Sequence, residues 1–235
     1  MSAYPILPAA SRRTLLGWTL RGAAVLALSS FALPLRLAPA RAAAPPPAAQ
    51  LTEQDLQDVH RIEAYLSGIK SLKARFQQFS QNGGLIYGNI YLRRPGRLRI
   101  EYDPPVPVLI IADGTWASFY DTELDQLNQA PLGSTPAWFL LRDPVSLTDG
   151  VTITSLKRAP GAMQIEMYQT RDPDAGLVRL IMTDDPIELR QWYIVDASGK
   201  EIHVGLDKVE IGIPLSNNLF VTPTMRHTMG RDTHK

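Results

Sequence analysis

Few residues in this chain are of a type and spacing that could do chemistry. Glu101 and Asp103 alternate along one short stretch beside Arg97 and Arg99. Two carboxylates held in register are what general acid–base catalysis needs. A solvated strand face of mixed charge uses the same residues and is the expected state. The four histidines, His60, His203, His227 and His234, share no metal-ligand spacing. The absence of cysteine excludes thiol nucleophiles, thiolate metal sites and disulfide scaffolds. No Gly-x-Ser-x-Gly, phosphate loop, His-Glu-x-x-His or dinucleotide fingerprint occurs. No enzyme activity, cofactor or metal is therefore expected.

One charge is oddly placed. Ile86, Gly88, Ile90, Leu92 and Arg94 share one face at a period of two. A guanidinium on an apolar face needs acceptors. Free carbonyls at a helix end supply them, and the helix dipole favours a cation there. Alternatively, Arg94 ends the strand before Pro95 and snorkels to water.

The elements that position these residues follow from periodicity. Thr52-x-x-Asp55 is a helix-start signature. Leu56, Val59, Ile62, Leu66 and Ile69 then recur at helical spacing, predicting an amphipathic helix over an apolar surface. After Ser71 the period becomes two. Strands are predicted around Leu72–Phe76, Ile86–Arg94, Leu98–Tyr102, Val108–Ala112 and Trp116–Tyr120. Later ones contain Ile165/Met167, Val178/Leu180/Met182, Ile187/Leu189 with Tyr193/Val195, and Ile202/Val204/Leu206. Turn signals at Asn82-Gly83-Gly84, Pro95-Gly96, Asp113-Gly114, Asp184-Asp185-Pro186 and Ala197-Ser198-Gly199 separate them, describing an antiparallel meander. A short helix apolar nearly all round, Ala137–Leu141, is predicted between Pro136 and Asp143-Pro144. A further helical turn is predicted near Pro214–Phe220.

The N-terminus reads as an address. Ser11-Arg12-Arg13 precedes an apolar run from Gly22 to Leu33, and Ala40-Arg41-Ala42 follows. That order is an export signal, with cleavage expected after Ala42. The route is the twin-arginine one or general export. The run is too short to span a bilayer permanently. Residues 1–42 hold five arginines and no acid, so their loss takes the net charge from +1 to −4. No nucleic-acid partner is expected of such a body. Residues 43–50 read as an extended Pro/Ala linker, 51–223 as one folded domain and 224–235 as a fraying tail.

Arg93-Arg94-Pro95-Gly96-Arg97-Leu98-Arg99-Ile100-Glu101-Tyr102 resembles a signature of the outer-membrane lipoprotein carrier family, LolA. Ala112-Asp113-Gly114, Phe119-Tyr120-Asp121, Gly133-Ser134-Thr135-Pro136-Ala137, Leu189-Arg190-Gln191-Trp192 and Leu219-Phe220 follow in the family's order. The resemblance runs from about Thr52 to Pro223. It implies an α+β fold, a half-open antiparallel β-barrel with a helical lid over an apolar cavity. Leu51–Ile69 and Ala137–Leu141 would form much of the lid. Arg94 falls on the family's arginine that bonds lid-helix carbonyls, as a latch.

The acyl-chain cavity would be lined from the early strands by Ile90, Leu92, Leu98, Ile100 and Tyr102. The short helix would add Trp138, Leu140 and Leu141, and the later strands Leu180, Met182 and Leu189. Leu98 and Ile100 stand where many relatives carry Phe and Trp, which should reshape the cavity. The implied function is a monomeric periplasmic carrier with acylated lipoprotein as cargo. It would receive cargo from an inner-membrane ATP-driven transporter. It would deliver to an outer-membrane receptor or to the outer membrane itself. The same architecture would serve a carrier of another amphiphile, such as a glycolipid, and a filled core would instead mark a structural envelope module.

Overall fold

The structure, a computed structural model, describes residues 45–79, 84–136, 138–195 and 200–223. The export signal, the Asn82-Gly83 and Ala197-Ser198-Gly199 turns, Ala137 and the 224–235 tail lie outside the described residues.

Thr52 caps the helix α1 (Glu53–Gly68) through a reciprocal capping box with Asp55. Two of the free amides at the start of the helix, those of Thr52 and Asp55, are thereby satisfied. Val59, Ile62 and Leu66 form its buried stripe, and Ile69 ends it two residues before the first strand.

Eleven strands then form one antiparallel sheet among the described residues. They are β1 (Ser71–Phe79), β2 (Leu85–Arg93), β3 (Arg97–Tyr102), β4 (Val108–Asp113), β5 (Trp116–Asp121), β6 (Gln126–Pro131), β7 (Val151–Ala159), β8 (Ala162–Gln169), β9 (Leu177–Thr183), β10 (Glu188–Val195) and β11 (Glu201–Ile211). Their order is β6-β5-β4-β3-β2-β1-β11-β10-β9-β8-β7. The first and last strands pair at the centre, and β6 and β7 are the two edges.

No ladder joins β6 to β7 among the described residues, so the antiparallel sheet is not a closed barrel. The α+β expectation gives way to a mostly β protein with one α-helix. β6 and β7 were not among the predicted strands. Gln126-Leu127-Asn128-Gln129-Ala130 carries too little apolar alternation, and a bulge after Ile153 breaks the period of β7. The predicted short helix is a 3-10 turn, Trp138–Leu141.

The main core lies between α1 and strands β7–β9. It contains Val59, Ile62, Leu66, Phe139, Leu147, Met163, Ile165, Met167, Val178, Leu180 and Met182. A second cluster on the same inner face joins Ile69, Leu72, Ala74, Phe76, Ile90 and Val204. Gly88 is required there: a Cβ would stand 2.2 Å from the Glu101 carbonyl oxygen and 2.4 Å from the Phe76 ring.

The outer face of β2 and β3 is not the solvated face that alternating charge suggested. Arg99 is 9% exposed. The C-terminal segment crosses above it. Arg93 donates to the Leu215 carbonyl at 2.8 Å, Arg97 to Asn217 Oδ1 at 2.8 Å and Arg99 to the Leu219 carbonyl at 2.9 Å.

Candidate functional site

Two apolar rows cross the inner face from β2 to β5. Ile90, Ile100, Ile110 and Phe119 stand opposite one another strand by strand, and Leu92, Leu98, Ala112 and Ala117 form the adjacent row. Burial falls along the first row, from 5% exposure at Ile90 to 43% at Phe119. The covered end lies near α1 and the 3-10 turn, and the far end is open to solvent.

The expected cavity residues divide accordingly. Leu92, Leu98, Ile100 and Tyr102 are half-buried on this inner face. Trp138 and Leu140 are also half-buried, whereas Leu141 packs with Ala112 and Leu132. Leu180 and Met182 are fully buried beneath α1, with half-buried Leu189 packed against that core. Ile110, Ala117 and Phe119 belong to the apolar rows but were not singled out from sequence. Their signal was the strand register, which places them opposite Ile100 and Leu98 only once β3, β4 and β5 are paired.

The 3-10 turn is fastened to the β2–β3 hairpin. Arg94 Nη2 donates to the Leu140 carbonyl at 2.7 Å, and Nη1 donates to the carbonyl of Ile69, the C-cap of α1. Gly96 N–H donates to the Leu141 carbonyl at 2.8 Å. Gly96 has φ +74 and packs against the backbone of Gly114, a combination that excludes a Cβ. Lys70 Nζ reaches Asp143 Oδ1 at 2.5 Å. Burial lowers the Arg94 guanidinium to about 10, against the opposing pull of the Asp143 carboxylate, so it is charged at neutral pH.

At the other end of α1, Asp58 is 2% exposed and accepts from Arg61 at 2.9 Å and Arg158 at 2.7 Å. Arg61 also donates to Asp184. Glu63 Oε1 accepts from the Leu147 amide at 2.6 Å, tying mid-helix to the segment that follows the 3-10 turn.

Residues 67–223 match the family model described as outer membrane lipoprotein carrier protein LolA. The chain belongs to the LolA family. Family members are carriers, not enzymes. Among its relatives, the outer-membrane lipoprotein carrier protein of Methylococcus capsulatus is 27% identical over 68% of this chain and 80% of its own length. That of Pseudomonas fluorescens is 29% identical over 72% and 86%. A LolA superfamily protein from Nitrosomonas europaea aligns in structure over 71% of this chain and 98% of its own, with TM-score 0.42 and 8% identity.

In this LolA-family chain the two inner rows are apolar, whereas the outer face sets Arg99 and Glu101 beside buried Ile111 and Leu109. A groove of about 530 Å³ lies beside Arg99, Glu101, Asp103 and Pro104. Its lining mixes those charges with Tyr102, Pro105, Val106, Pro107, Val108 and Leu109.

Proposed function

We propose that the chain is a periplasmic carrier that shelters the acyl chains of lipoproteins and moves them from the inner to the outer membrane. Residues 1–42 act as the export signal, and residues 51–223 as the carrier. The observation that carries this reading is the partly open apolar row Ile90–Ile100–Ile110–Phe119 beside a turn held by side-chain bonds. Each buried CH₂ contributes about 0.8 kcal/mol, so an acyl chain gains strongly from covering that row. Release without an energy source requires a cover that moves at modest cost. The 3-10 turn Trp138–Leu141 and α1 form that lid over the cavity, and Arg94 latches it. An inner-membrane ATP-driven transporter loads the cargo, and an outer-membrane receptor or the membrane itself accepts it.

The test is a two-step transfer with radiolabelled lipoprotein. Mature protein is incubated with inner-membrane vesicles, recovered, then presented to outer membranes. Acylated cargo should copurify and then transfer, and the unacylated Cys→Ser form of the cargo should do neither. Copurification of a glycolipid in its place, or of nothing, overturns the proposal.

A further inference from the structure

Two buried N–H donors at the lid seam, Arg94 Nε and Trp138 Nε1, have no acceptor among the described residues. Arg94 bonds the carbonyls of Ile69 and Leu140 through its two terminal nitrogens, leaving Nε over. Trp138 opens the same 3-10 turn and, with Leu92 and Leu98, packs against the cluster of Ala112, Leu132 and Leu141. Burying a donor without an acceptor is costly, and native structures keep few such groups. The buried carboxylate of Asp58, by contrast, is matched by two guanidinium groups.

The seam carries apolar Leu92, Leu98 and Leu141 beside the Lys70–Asp143 pair and the Arg142 guanidinium over the Trp138 ring, so a ligand that joins an acceptor to an apolar tail matches it. An acyl chain brings one at its head, the carbonyl of the ester or amide that attaches it. We propose that Arg94 Nε and Trp138 Nε1 form a recognition site for the ester or amide carbonyls at the head of bound acyl chains. This assignment rests on the carrier reading and adds to it. Apolar rows bind chains of any head chemistry, whereas the two donors read the linkage. The tryptophan suits the task because it presents a donor and no acceptor, so it does not repel a carbonyl.

The test compares two probes on mature wild-type protein by fluorescence displacement: a dipalmitoyl ester lipopeptide and its dialkyl ether twin of equal chain length. Diacylglycerol and its ether twin form a second pair, which separates lipoprotein from glycerolipid as the source of the carbonyl. The ester lipopeptide should bind at least about three- to tenfold more tightly than the ether, the range of the neutral bond from Trp138, with the charged Arg94 donor adding to it. Trp138→Phe keeps an aromatic ring and removes the donor, so the ester-to-ether ratio should fall toward one. The ratio is internal to each protein and so corrects for a change in overall affinity. Equal wild-type binding of both lipopeptides overturns the carbonyl site and leaves the carrier reading standing. Binding of neither removes the carrier reading as well. An unchanged ratio in Trp138→Phe overturns the part assigned to Trp138, and a preference shown by diacylglycerol alone overturns lipoprotein as the source.

Discussion

Arg158 on β7 donates from Nε to Oδ2 of Asp58 on α1 at 2.7 Å, joining two residues one hundred positions apart. Arg61 bonds the other oxygen of the same carboxylate. The N-terminal half of α1 is therefore anchored by a buried and fully matched charge. Its C-terminal end runs into β1 through Ile69 and Lys70 alone. α1 is thus fixed at both ends.

Removing the charge at Asp58 tests the anchor. In Asp58→Asn two guanidinium groups lose their shared partner, although both arginines are near half exposed and partly screened. A loss of about 1–2 kcal/mol is expected, toward the low end for hydrogen bonds to charged groups. A urea midpoint equal to that of wild type contradicts the anchor.

Acid should loosen the same region. The Thr52 hydroxyl and amide, then Arg158, hold the Asp55 carboxyl down at about 2. Burial alone would raise Asp58, but Arg158 and Arg61 outweigh it and lower it. A depressed carboxylate adds stability that is complete above its unfolded pKa, about 3.9, and is lost as pH falls through the folded value. Thermal midpoints should therefore fall between about pH 4 and 2. In Arg158→Met that slope should be shallower.

His203 should give a second, smaller slope nearer neutrality. It is stacked between Phe79 at 4.7 Å and Tyr193 at 4.1 Å. Burial lowers its pKa, with Glu201 opposing. The folded state thus favours the neutral ring, and stability declines as pH drops below about 6.5, the unfolded value. His203→Gln should flatten the change between pH 7 and 5, measured by thermal melts. A wild-type slope in that variant refutes the assignment.

Arg94→Leu keeps an apolar stem and removes every donor. The closed seam should lose about 1.5–3 kcal/mol per charged bond at most, and the open state little. The equilibrium then moves toward open by roughly tenfold per 1.4 kcal/mol. Two latch bonds are lost against one Nε contact to the acyl head, so bound lipoprotein should accumulate on balance and outer-membrane delivery should fall, scored as separate steps. Arg94→Lys should be intermediate, because an ammonium cannot repeat the planar fork. Wild-type behaviour of Arg94→Leu in both steps ends the latch idea.

Charge placed along the inner face separates cavity from core. Phe119 is 43% exposed, so Phe119→Asp should alter stability by less than about 1 kcal/mol while reducing cargo retention. Met182 has no exposed surface, so Met182→Ala should cost about 2–5 kcal/mol through a cavity in the filled core. Combined melting and retention measurements check both. A retention loss confined to Met182→Ala would invert the assignment of open and closed ends.

Local pattern sufficed for the elements. The Thr52–Asp55 spacing and the Val59–Ile62–Leu66 stripe encode α1, and period-two alternation, apolar runs such as Val108–Ala112 and turn signals encode nine of the eleven strands, because these are patterns among immediate neighbours. β6 and β7 escaped because an edge strand need not alternate and a bulge resets the period. Arg94 was legible as a misplaced charge, but its acceptor Leu140 lies 46 positions away and no local rule points to it. Arg99 looked solvated until the segment around Leu219 crossed above it. The division of the inner face into a filled half under α1 and an open half ending at Phe119 likewise belongs to the tertiary structure. A strand's period tells which side of a sheet a residue faces, whereas what covers that side depends on chain hundreds of atoms distant, brought there only by the pairing of β1 with β11.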